Sequence, residues 1–101
     1  MKMKVIVKRP NEEYGRIVLI ENKLKTLQQI VGGYIEVVPI APEVLAICNE
    51  EGKLLNLEPN IKYYDDILHG TIIICGAIGD EFSDVPIDMD QWKGIVDQNK
   101  L

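Results

Sequence analysis

Tyr34, Glu36, Asn49, Glu51, Lys53 and Asn60 are the side chains of this sequence best suited to hold a ligand. They supply a ring, two carboxylates, an ammonium and two amides. A carboxylate beside a tyrosine ring can accept hydrogen bonds from a ribose hydroxyl or an amine. The stretch Asn49-Glu50-Glu51-Gly52-Lys53 adds both signs of charge within a few residues. A plainer reading stands beside each. Glu is mostly exposed in folded proteins, so Glu36 also reads as a solvent-facing strand carboxylate. Asn and Gly favour turns for backbone reasons, and Glu58-Pro59-Asn60 is first of all a loop breaker.

Catalytic and metal chemistry find less support. His69 is the single histidine, and a histidine can titrate near neutrality, so an enzyme pairing His69 with Glu36 or Glu51 is a third reading. Ser83 stands alone in an acidic stretch. One histidine without a clustered ligand set does not build a zinc site. Gly76-Ala77-Ile78-Gly79-Asp80 lacks the Lys-Ser/Thr of a phosphate loop, and Asp80 to Asp90 lacks the glycine and terminal glutamate of a calcium loop. No catalytic residue, metal ligand or cofactor is therefore assigned. Cys48 and Cys75 each end an apolar run and read as buried reduced thiols, with a disulfide between adjacent strands left open.

The elements that must position these groups follow from periodicity. Met1, Met3, Val5 and Val7 alternate with lysines, which predicts a half-buried strand over residues 1–8, and 15–21 (GRIVLIE) returns antiparallel across a polar loop. Asn22 is a plausible cap for a short helix carrying Leu24, Leu27 and Val31, and Gly32 stands where a left-handed residue would end it. Residues 34–40 and 44–49 are rich in β-branched side chains and separated by a link short enough for a second hairpin. Strand alternation puts Tyr34, Glu36 and Val38 on one face and Ile35 and Val37 on the other, so Glu36 points to the open face if the helix covers the second. Residues 54–66 read as an irregular flap pinned by its leucines, with Tyr63 and Tyr64 partly packed. Leu68–Cys75 is the most apolar run and predicts a central strand covered on both faces. After an acidic linker, Asp88 and Gln91 make a capping box, with Ile87 and Trp92 as a staple, for a helix over 89–98.

These elements predict an α+β fold in a single domain: an antiparallel or mixed sheet of about five strands, one packed helix, and a C-terminal helix at its edge. Residues 1–79 form the sheet and helix core, and 80–101 the acidic linker and C-terminal helix. The net charge of −5 argues against a nonspecific nucleic-acid or anionic-membrane surface. The charge is uneven, at +4 over residues 1–33 and −9 over 34–101. The starting apolar run is far too short for a signal peptide, and no stretch reaches the roughly 20 apolar residues that cross a bilayer, so a cytoplasmic protein is expected.

The order LQQIVGGYIEVVPI, ICNEEGKLLNLEPN and DILHGTIIICG, over residues 27–76, resembles the domain-of-unknown-function 3846 family of bacteriophages and other bacterial mobile elements. The family pattern falls on Gly32 to Val37, on Asn49, Glu51, Gly52 and Lys53, on Pro59 and Asn60, and on Gly70 and Thr71. The resemblance implies a phage-type gene and carries no established activity. Genomic company of this kind points to a binding protein that counteracts host defence by sequestering a nucleotide-like small molecule. An acidic inhibitor occluding a host protein surface is the alternative. The expected partners are a small polar molecule or a host protein, with self-association left open.

Overall fold

A computed structural model describes residues 1–101. The chain runs β1 (Lys2–Lys8), β2 (Arg16–Glu21), α1 (Leu24–Val31), β3 (Ile35–Ala41), β4 (Val44–Asn49), β5 (Pro59–Tyr63), β6 (Asp66–His69), β7 (Ile72–Ile78), β8 (Glu81–Ser83) and α2 (Met89–Gln98). The main sheet has the order β2-β1-β7-β4-β3 and every pairing is antiparallel, with β5 and β6 forming a separate two-stranded unit. The expected α+β fold, with its two hairpins and its C-terminal helix, is present.

Alternation along the strands sorts the core into two faces. On the front face Ile6, Val38, Val44, Ala46, Cys48, Ile72 and Ile74 pack against Trp92 and Val96 of α2 and Ile61 and Leu68 of the β5–β6 hairpin. On the back face Met3, Val5, Ile47, Ile73 and Cys75 pack against Leu27 and Val31 of α1. β7 sits at the centre because both faces are covered: Ile72, Ile73, Ile74 and Cys75 are fully buried. Trp92 is likewise fully buried, so α2 lies over the front face and not at the sheet's edge. Trp92 and Val96, flanked by half-buried Met89 and Ile95, dock the helix, whose first turn closes the expected capping box between Asp88 and Gln91.

Several expectations need correction. The helix α1 is capped by Lys23 without a side-chain bond; Asn22 instead donates through Nδ2 to the Phe82 carbonyl at 2.9 Å. Gly32 does end α1 in the left-handed region, at φ 82°. Residues 54–66 are not an irregular flap. Pro59 opens a strand, a position where its missing N–H costs no ladder bond. Leu54 and Leu55 do not pin anything, being 84% and 55% exposed, and Tyr64 is exposed at the hairpin turn beside Tyr63. The run Leu68–Cys75 is two strands and not one. Gly70 at φ 82° breaks it, and a Cβ there would also meet Leu57 at 2.8 Å.

The acidic linker after Gly76 is also more ordered than expected. β7 continues to Ile78 and turns into β8, which pairs Ser83 with Gly76, Phe82 with Ala77 and Glu81 with Ile78. Before Ile6, β1 is not paired with β7, and the segment after β8 bonds to that free stretch. Val85 N–H donates to Lys4 O at 2.8 Å, and Lys4 N–H donates to Asp84 Oδ1 at 2.7 Å. Asp84 thus completes backbone pairing, which is why its carboxylate is not simply solvated.

Cys48 and Cys75 are both free and buried. Although β4 and β7 are neighbours, the two side chains point to opposite faces of the sheet, so no disulfide can join them. Burial pushes both thiols up to about 11. Folded protein is therefore expected to resist a thiol-reactive dye at pH 8, with both cysteines reacting promptly in denaturant; fast labelling of either one under native conditions would contradict the packing.

Candidate functional site

Four of the six groups singled out by chemistry line one cavity. At the end of the sheet where β4 finishes, the turn after it and the β5–β6 hairpin enclose a cavity of about 420 Å³ over the front face. Glu36 reaches it from β3, and Asn49, Glu51 and Lys53 from the end of β4 and the following turn. Asp66 and His69 line it from β6, with Cys48 on the floor. Glu36 does lie on the face opposite Ile35 and is exposed there, at the rim of the cavity beside the hairpin. The exposed Glu36 carboxylate stands 3.9 Å from the Cys48 thiol, near enough to reinforce burial in keeping that thiol protonated.

Local sequence explains why the turn takes this shape. The Asn49 amide is buried, donating to Val31 O at 3.2 Å while its Oδ1 accepts the Glu51 N–H at 2.7 Å. Asn49 therefore ties the turn to the end of α1, and its polar atoms are spent on that. Gly52 packs against β6, where a Cβ would come 3.0 Å from the His69 carbonyl oxygen. Any side chain there would push the hairpin back by a few tenths of an ångström. Lys53 then bridges to Asp66 across the cavity mouth. That contact, with the Ile67 N–H, holds the Asp66 carboxyl below the usual carboxylate range.

His69 presents Nδ1 to the Leu57 carbonyl at 2.9 Å, so in the neutral ring this nitrogen carries the proton and Nε2 remains an acceptor. Two of the six selected residues lie elsewhere. Tyr34 is 68% exposed and precedes β3 without lining the cavity. Asn60 is buried: its Oδ1 accepts from Lys8 Nζ at 2.7 Å, and its Nδ2 donates to Lys8 O and Gly70 O, each at 2.9 Å. It joins the hairpin to β1. Lys8 is nearly inaccessible, and desolvation lowers its pKa against the opposing effect of Glu12.

Asp66 escaped sequence reasoning altogether. Its signal was the spacing to Lys53, which carries meaning only once 59–69 is recognised as a hairpin folding back over that turn. A second, larger cavity of about 800 Å³ lies at the opposite end of the sheet, around Met3, Leu45, Ile78 and Phe82. It holds none of the six selected residues. No group of three or more His, Cys, Asp and Glu side chains could hold a metal ion.

The molecule is thus a small α+β domain with a cavity of mixed lining at the seam between a sheet and an accessory hairpin. The chain belongs to the family described as Domain of unknown function (DUF3846), whose model matches residues 3–97. The match extends well beyond residues 27–76 and takes in the acidic segment and most of α2. No curated protein and no solved structure matches the chain.

Proposed function

We propose that this chain is a non-catalytic binding protein of phage or mobile-element type. It captures a polar small molecule in the cavity between β3–β4 and the β5–β6 hairpin, and in the bacterial cytoplasm withholds it from a host defence system. The observation that carries this reading is convergence. Glu36, Glu51, Lys53 and His69 come from three separate segments and line a single cavity. Acids outnumber bases there, with Glu36, Glu50, Glu51 and Asp66 against Lys53. Such a wall recognises hydroxyl and amine donors. A nucleotide would accordingly be held by its ribose and base, with its phosphates towards solvent.

The second reading, an acidic inhibitor of a host protein, draws on the −9 charge of residues 34–101. It is weakened because Asp84, Asp88 and Asp97 are engaged within the chain, by Lys4 N–H, Gln91 N–H and the Tyr14 hydroxyl. The two readings separate by mass spectrometry of what co-purifies with the protein from cells carrying the element. A polar small molecule near equimolar amounts is expected, lost from a folded Glu36→Gln/Lys53→Met variant. Full retention by that variant would remove the cavity from consideration. A stoichiometric host polypeptide with no small molecule would favour the inhibitor instead.

A further inference from the structure

The β5–β6 hairpin meets the sheet at one end and stands off it at the other. Ile61 and Leu68, paired across the hairpin, are buried in the front core. Alternation puts the next pair towards the hairpin turn, Tyr63 and Asp66, on the same face, turned to the sheet. Across the gap Glu36 and Cys48 are paired neighbours on β3 and β4, and Val38 follows on the same face. The cavity is therefore a slot, with Tyr63 and Leu68 on one wall and Val38 and Cys48 on the other. Its volume of about 420 Å³ is within the usual range for a small-molecule site. The charges around it are not equivalent. Lys53 and Asp66 satisfy one another, and the Cys48 thiol stays protonated. The Glu36 carboxylate stands at the rim with no cation beside it and no nearer partner than that thiol at 3.9 Å. An ionised carboxylate only accepts hydrogen bonds, through two oxygens side by side.

We propose, resting on the reading that this cavity holds a polar small molecule, that the molecule is a flat aromatic base whose edge carries two adjacent N–H donors, as guanine does. The faces of such a ring lie between Tyr63 and the apolar floor of Val38 and Cys48, where stacking on the tyrosine supplies affinity. Its edge turns to Glu36, so that the ring N–H and the neighbouring amino group each meet one carboxylate oxygen. Other bases match less well. Adenine and cytosine set an amino group beside a ring-nitrogen acceptor, uracil sets one N–H between two carbonyls, and hypoxanthine lacks the amino group. In each, the second oxygen of Glu36 meets a lone pair or no donor at all. Phosphates gain nothing in the slot, because its one lysine is already held by Asp66.

Isothermal titration of the full chain with guanosine and with inosine, which differs only in lacking the amino group, reads the proposal directly. Guanosine is expected to bind about tenfold or more tightly than inosine, the worth of one hydrogen bond to a charged group. Glu36→Gln changes an exposed side chain and should bring the two nucleosides within about twofold of each other, since an amide has a single acceptor oxygen. Tyr63→Leu should weaken both by about tenfold and preserve their ratio. If that variant folds poorly, the Glu36 comparison decides alone. Glucosamine serves as an amine without an aromatic ring. Equal affinity of the parent for guanosine and inosine, a preference that survives Glu36→Gln, or binding untouched by Tyr63→Leu would each overturn the proposal. Glucosamine bound in a Glu36-dependent way with neither nucleoside bound would overturn it while leaving the cavity as a ligand site. Binding of none of the three would overturn it as well, and the cavity would then rest on co-purification alone.

Discussion

Replacing Asn60 with leucine is expected to lower the unfolding free energy by about 4 kcal/mol and the melting temperature by roughly 20 °C. The size follows from what one amide satisfies. Its Oδ1 takes a hydrogen of the buried Lys8 ammonium, and its Nδ2 serves the carbonyls of Lys8 and Gly70. Leucine fills the volume but takes a partner from three polar groups, leaving the buried Lys8 ammonium with only the longer bond to the Arg9 carbonyl at 3.4 Å. Each such loss costs about 1–3 kcal/mol, more for a charge. Denaturant unfolding measures the loss, and amide exchange should show β5 and β6 opening first. A change below about 1 kcal/mol would show that Asn60 is not the tie between the hairpin and β1. The same contact predicts a pH effect. Because the folded state lowers the Lys8 pKa from 10.5, the unfolded chain binds more protons between the lowered value and 10.5. Stability relative to Lys8→Met must therefore rise with pH across that window.

Trp92→Ala is expected to cost about 4 kcal/mol as well, by a different route. The indole is fully buried in the front core, and its Nε1 donates to Tyr14 O at 2.7 Å. Alanine leaves a cavity under α2 and frees the Tyr14 loop, whose hydroxyl otherwise reaches Asp97 at 2.9 Å. Trp92→Phe keeps most of the packing and gives up the hydrogen bond, so it should cost about 1–2 kcal/mol. Since domains of this size hold only about 5–15 kcal/mol in total, the alanine variant should be partly unfolded at 37 °C. Equal midpoints for Phe and Ala would place the stability in the hydrogen bond and not in the packing.

Strands and helices whose signal is local were legible in the sequence. β1 and β2 alternate cleanly, β3 and β4 are β-branched and share a short link, and α2 announces itself through Asp88 and Gln91. What escaped depends on partners far along the chain. Pro59 resembled a breaker because its strand is an accessory pair lying on the core, where the missing N–H does no harm. Leu68–Cys75 resembled one strand because both of its halves are buried, and periodicity cannot find the corner at Gly70. Asp84 resembled a solvated acid because its acceptor role is set by Lys4, 80 positions away. The candidate site divides in the same way. The turn 49–53 was readable from residue types, whereas the positions of Asp66 above it and Asn60 outside it follow from the hairpin.

The central place of β7 also fixes when the molecule can form. The β1–β2 and β3–β4 hairpins are each local, yet they touch neither one another nor a common sheet until residues 72–78 arrive to join them. A nascent chain that has emerged only as far as His69 holds three hairpins, β1–β2, β3–β4 and β5–β6, without the strand that joins the main sheet, each of marginal stability by itself. Closure then comes in one late step through non-local pairings, which makes folding slow for the chain's length and nearly all-or-none. A nonsense or frameshift lesion before β7 should accordingly leave no partly active fragment, only a substrate for proteolysis.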